Sequence, residues 1–123
     1  MKKKLRVVYL NVEEKKAPVE QIIDENIYTF YEMIQCDAFD ICKRNIGKRE
    51  YRIICDDVGF FKSFPKISAV ASEFGVMPLV GNLIVCGIED KYGNLTDLTD
   101  EDVQNVLQNV AYIDGRFILI NVN

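Results

Sequence analysis

Short apolar runs, each interrupted by charged or turn-forming residues before it reaches the length of a substantial helix, set the tightest limit on what this chain can fold into. Residues 5–12 (LRVVYLNV) are rich in β-branched and aromatic side chains, which suit a pleated surface packed on its faces. The charged stretch Glu13-Glu14-Lys15-Lys16 follows as a loop, and residues 18–23 resume an extended segment. Residues 38–44 and 49–55 form two strands around Asn45-Ile46-Gly47-Lys48, where glycine supplies the positive φ that a tight hairpin needs. Residues 80–88 are a glycine-punctuated apolar run expected to be one buried strand, and residues 116–122 (RFILINV) make a closing strand. Lys91-Tyr92-Gly93-Asn94 has the composition of a turn.

Only two segments carry a clear helical period. Ile27, Phe30, Tyr31 and Ile34 share one helix face, with Asp24 expected as N-cap and Glu25 in the first turn. Thr99-Asp100-Glu101-Asp102 opens a second helix with a side-chain oxygen at the cap and acidic residues behind it; Val103, Val106, Leu107 and Val110 supply its apolar stripe. Within residues 60–78, Ile67, Val70, Ala71 and Phe74 have the spacing of a short third helix. Together these features predict one α+β domain over residues 1–123: a mostly antiparallel sheet of about six strands with two or three helices. At 123 residues the chain is long enough for a hydrophobic core without covalent staples.

Composition removes several chemistries. There is no histidine, which rules out Ser-His-Asp and Cys-His catalysis and H-E-x-x-H zinc sites within the chain. The cysteines at 36, 42, 55 and 86 have no C-x-x-C spacing, so they read as small core hydrophobes rather than zinc ligands or disulfide partners. No G-x-G-x-x-G, Walker loop or nucleophile elbow occurs, and no cofactor or metal is expected. The start MKKKLRVVYLNV is charged like a targeting segment, but Arg6 breaks its apolar run and no small-residue cleavage site follows, so the expected location is cytoplasmic, with no membrane contact.

The net charge of −4 is unevenly distributed: the first 52 residues carry 11 basic and 9 acidic side chains, the remainder 4 and 10. This suggests two differently charged faces. The most basic stretch, Lys43, Arg44, Lys48, Arg49 and Arg52, is a candidate nucleic-acid contact at a hairpin tip, extended by Lys2, Lys3, Lys4 and Arg6 if the first strand lies beside it. The plainer alternative is a solvated charged hairpin. Asp56 and Asp57 are a candidate polar site, with Lys62 or Tyr51 as catalytic companions. Neighbouring strand residues point to opposite faces, however, and Asp-Asp-Val-Gly has the chemistry of a turn, which is the preferred reading. Gly81-Asn82 and Gly87 mark either close approach to a ligand or, preferably, a bend in a curved sheet.

The order of segments carries a resemblance. Tyr31-Glu32-Met33-Ile34-Gln35, the acidic strand from Asp37 through Asp40 to Ile41, ICDDVGFFKSFP, PLVGNLIVCG and DKYGNLTDLTDEDV together resemble a family of small uncharacterised bacterial and phage proteins, a domain of unknown function found in mobile elements, over most of residues 5–110. Phe64-Pro65-Lys66-Ile67 stands where that family tends to show an Asn-Arg pair. The resemblance implies a phage or integrated element as context and no chemistry. The leading expectation is therefore a non-enzymatic binding or regulatory module acting on a host protein, as monomer or homodimer, with Tyr28, Phe60, Phe61 and Tyr92 as candidate interface aromatics. The alternatives are a nucleic-acid accessory protein using the 43–52 hairpin and a small carboxylate-dependent enzyme.

Overall fold

A computed structural model describes residues 3–57, 67–72 and 75–122. In chain order the elements are β1 (Lys4–Leu10), β2 (Val19–Asp24), α1 (Ile27–Ile34), β3 (Phe39–Ile46), β4 (Arg49–Asp56), β5 (Ile67–Ala71), β6 (Leu79–Val80), β7 (Leu83–Cys86), α2 (Asp100–Asn109), β8 (Val110–Ile113) and β9 (Arg116–Leu119). The fold is α+β and mostly antiparallel, as expected, but among the described residues the strands number nine and lie in two sheets. A five-stranded sheet has the order β2-β1-β7-β4-β3 with every pair antiparallel; a four-stranded sheet has the order β6-β5-β9-β8, in which β5 and β9 run parallel.

The larger sheet is covered on both faces, which is why its central strands read as nearly continuous apolar runs. Leu5 and Val7 of β1, Ile54 of β4 and Ile84 and Cys86 of β7 pack with Phe30 and Ile34 of α1. Their neighbours Val8, Leu10, Ile53, Cys55, Leu83 and Val85 face the other way and pack with Val103 and Val106 of α2 and with Ala69, Phe117 and Leu119 of the smaller sheet. Each aliphatic side chain buried in this way contributes about 1.5–3 kcal/mol relative to exposure.

Four expectations change. Helix α1 is capped by Asn26, whose Oδ1 accepts the Thr29 N–H at 2.9 Å, because Asp24 is still paired with Lys4 in the β1–β2 ladder and Glu25 precedes the cap. The run 80–88 is two strands in two different sheets: Gly81, at φ 78°, lets the chain leave the smaller sheet, and β7 begins two residues later in the larger one. Residues 67–71 form a strand rather than a helix, because pairing with β9 and β6 overrides a spacing that also fitted a helix; Phe74 lies outside the described residues. Finally, β8 was not anticipated, and Leu107 of the predicted α2 stripe is exposed while Val103, Val106 and Val110 are buried.

Candidate functional site

The hairpin β3–β4 carries most of the residues singled out by sequence. Its register pairs Lys43 with Arg52, Arg44 with Tyr51 and Ile46 with Arg49 across the two-residue turn Gly47-Lys48. Alternation therefore puts Lys43 and Arg52 on the α1 side of the sheet and Arg44 and Arg49 on the other, so the basic cluster does not form one face. Arg49 donates to Asp102 Oδ1 at 3.0 Å. Arg52 donates to Glu89 at 2.7 Å and to Glu50 at 2.9 Å, and only 12% of its side chain is exposed. Arg44 donates to the carbonyls of Lys43 and Met77, whereas Lys48 is exposed in the turn. The first strand does not extend the cluster: β7 and β4 separate β1 from β3, a span of about 14 Å at ordinary strand spacing. Lys3, Lys4 and Arg6 pair instead with Glu25, Asp24, Glu20 and Asp100. Much of the charge asymmetry along the sequence thus becomes pairing across the fold, since Arg6, Arg49 and Arg52 of the first part find Asp100, Asp102 and Glu89 of the second.

The hairpin tip is docked. Gly47 N–H donates to Ile120 O at 2.6 Å, and Val122 N–H donates to Gly47 O at 3.0 Å. A side chain at Gly47 would collide with Asn105, whose Oδ1 lies 2.0 Å from the Cβ position. Beside it, α2 begins with a reciprocal cap: Asp102 N–H donates to Thr99 Oγ1 and Thr99 N–H to Asp102 Oδ2, each at 3.1 Å. Asp102 Oδ1 also accepts from Tyr51 at 3.1 Å, and the Tyr51 hydroxyl accepts from Asn105 at 2.8 Å. Burial pushes the Asp102 carboxyl up, but hydrogen bonds from Thr99 and Tyr51 and the charge of Arg49 take it below its ordinary range. Burial raises the Tyr51 hydroxyl. The cluster borders a cleft of about 530 Å³ that also includes Gly87, Thr96 and Asp97. Gly87 packs on Thr96 there, a close approach of chain to chain.

Asp56 closes β4 opposite Phe39, and Asp57 N–H donates to Ala38 O at 3.0 Å in the turn that follows. Gly59, Phe60, Phe61 and Lys62, on which parts of the turn, interface and catalytic readings depend, lie outside the described residues. Tyr51 is engaged at the other end of the strand, so it is not brought to the two aspartates. Asp56 and Asp57 instead join Asp40, Cys42, Arg44 and Cys55 around a cavity of about 190 Å³. The two cysteines were missed as a pair. The hairpin turn was the available signal, because a turn at Gly47-Lys48 sets Cys42 opposite Ile53, two residues from Cys55.

At the far side of the sheet, β2 is an outer strand whose one strand neighbour among the described residues is β1. Val19 is 43% and Ile22 68% exposed, and at the start of α1 Ile27 is 48% and Tyr28 75% exposed. Asn82, between β6 and β7, is buried and donates to the Tyr9 hydroxyl and to Met33 O, each at 3.1 Å, which serves chain packing. No helix among the described residues is long and apolar enough to cross a membrane. Residues 5–111 match the family model described as Domain of unknown function (DUF3846). No curated protein and no solved structure matches the chain.

Proposed function

The chain belongs to that family, whose description names no chemistry, and we propose that it is a non-enzymatic binding module that takes an extended segment of another protein as an added strand on β2. The exposed apolar edge of β2 carries this reading. Strand addition draws affinity from backbone hydrogen bonds and specificity from alternate side chains, and Val19 on one face of β2 and Ile22 on the other are apolar and open to solvent. Outer strands are commonly guarded by charge. On β2 the acids Glu20 and Asp24 are instead bonded to Arg6 and Lys4 of β1. The opposite outer strand, β3, carries exposed Asp40 and Lys43. The resemblance to phage and mobile-element proteins adds the expectation that the partner is a host protein. Nucleic-acid contact ranks second, since Arg49 and Arg52 are already bonded to carboxylates.

A photocrosslinking residue at position 22, with position 92 as control, tests the proposal in cells. The expected result is one dominant adduct with another protein from position 22, none from position 92, and loss of that adduct when Val19→Lys charges the edge. Equal labelling from both positions, or no adduct from either, sinks the proposal; an adduct with a second copy of the chain replaces it with self-association.

A further inference from the structure

The open end of the β3–β4 hairpin points to a chemistry independent of any partner. We infer that Cys42 and Cys55 are a two-electron thiol pair, in which a hydroperoxide oxidises Cys42 and Cys55 resolves the product to an intramolecular disulfide. The two sulfurs lie 3.0 Å apart, on adjacent strands and the same sheet face, because Cys42 stands opposite Ile53 and Cys55 opposite Asp40. Forming a disulfide from that position closes the sulfurs by about 1 Å to the bonded length. Both line the cavity of about 190 Å³, which has room for a molecule as small as hydrogen peroxide. Cys42, on the outer strand, is half-buried; Cys55 is 5% exposed.

The surroundings divide the labour. The hydrogen bond between the two sulfurs and the charge of Arg44 outweigh burial and the nearby carboxylates of Asp40 and Asp57, lowering the Cys42 thiol to about 7. The Cys55 thiol is pushed up by that same bond and by burial, and its Sγ also donates to the Asp40 carbonyl at 3.7 Å. The thiolate is the nucleophile in such chemistry. Cys86 is a poor competitor, fully buried and raised to about 12 by that burial.

In the first step the Cys42 thiolate attacks one peroxide oxygen and the O–O bond breaks. That oxygen stays on sulfur as a sulfenic acid, and the other leaves as hydroxide and takes a proton to become water. In the second, the Cys55 sulfur attacks the Cys42 sulfur, the S–O bond breaks, and hydroxide leaves with the Cys55 proton as a second water. The pair of thiols has together lost two electrons, and one peroxide has gained two.

Full-length protein is titrated with hydrogen peroxide at neutral pH, and free thiols are then alkylated and the products mapped by mass spectrometry. Free thiols, counted by alkylation after denaturation, should fall by two, with a linked peptide joining Cys42 to Cys55 that a dithiol reductant reverses. Cys55→Ser should stop at a sulfenic acid on Cys42, trapped by dimedone. Cys42→Ser should slow peroxide consumption on the order of tenfold or more. Unchanged thiols in the wild-type protein under excess peroxide, a link through Cys36 or Cys86, or undiminished consumption by folded Cys42→Ser would each overturn the inference.

Discussion

The two ends of the β3–β4 hairpin share the same strands and have opposite characters. At the turn, Gly47 exchanges backbone hydrogen bonds with Ile120 and Val122, Asn105 bonds the Ile46 carbonyl, and Arg49 is held by Asp102. At the other end, Asp40, Cys42, Cys55, Asp56 and Asp57 line a cavity, and two sulfurs touch in its wall. Of the conspicuous charges near the tip, Arg49 and Arg52 are matched by carboxylates and become architecture. The inconspicuous thiols at the base bond only weakly, and one of them retains reactivity. Charge clustering in a sequence therefore marks what needs a partner inside the fold as readily as what faces a ligand.

Substitutions at the tip should be felt as stability. The largest loss is expected for Gly47→Ala, which combines the left-handed φ of 62° with a collision against an Asn105 side chain already tied to Ile46. Chemical denaturation should read a loss on the order of 3 kcal/mol. Asp102→Ala, which removes half of the α2 cap and leaves the Tyr51 O–H without its acceptor, should cost about 2 kcal/mol in the same measurement. Asp102 also predicts the acid side of the stability curve. Its folded carboxyl lies below its unfolded value, so its ionisation favours the native chain above about pH 4, and that contribution disappears as acid titrates the folded group. Asp102→Asn should flatten this part of the curve, read as thermal midpoints between about pH 2 and pH 6. Arg49→Ala, one half of a bridge whose arginine is 60% exposed, should cost at most about 1 kcal/mol. Lys48→Glu should stay within about 0.5 kcal/mol, and a larger loss would mean the tip depends on net charge rather than on its hydrogen bonds.

Local signals were legible wherever the chain's own neighbours decide the outcome. The capped start of α2 at Thr99, the strand at residues 5–12 and the hairpin at Gly47 follow from side-chain chemistry within a few residues. What sequence missed depends on distant segments. Ile67 to Ala71 becomes a strand because β9, some fifty residues later, lies beside it. Val80 and Leu83 part company because Gly81 permits a change of sheet that no periodicity encodes. The β8–β9 hairpin is a different case: Asp114-Gly115, both at positive φ, is a two-residue turn signal, and it competes with a helical period that claims Val110. Of the candidate site, the cation positions were visible, but their neutralisation required knowing where Glu89 and Asp102 would lie.

The clamp on Gly47 also sets an order in time. Its hydrogen-bonding partners, Ile120 and Val122, are more than seventy residues downstream. At ordinary translation speeds, about 4–15 s separate synthesis of the turn from synthesis of the residues that seal it. Through that interval a nascent β3–β4 ribbon has an unanchored tip, and β9, which completes the ladder beside β5, has yet to be made. The growing chain thus passes through a period of seconds in which chaperones, or strand edges of other nascent chains, meet a hairpin that the finished molecule keeps closed.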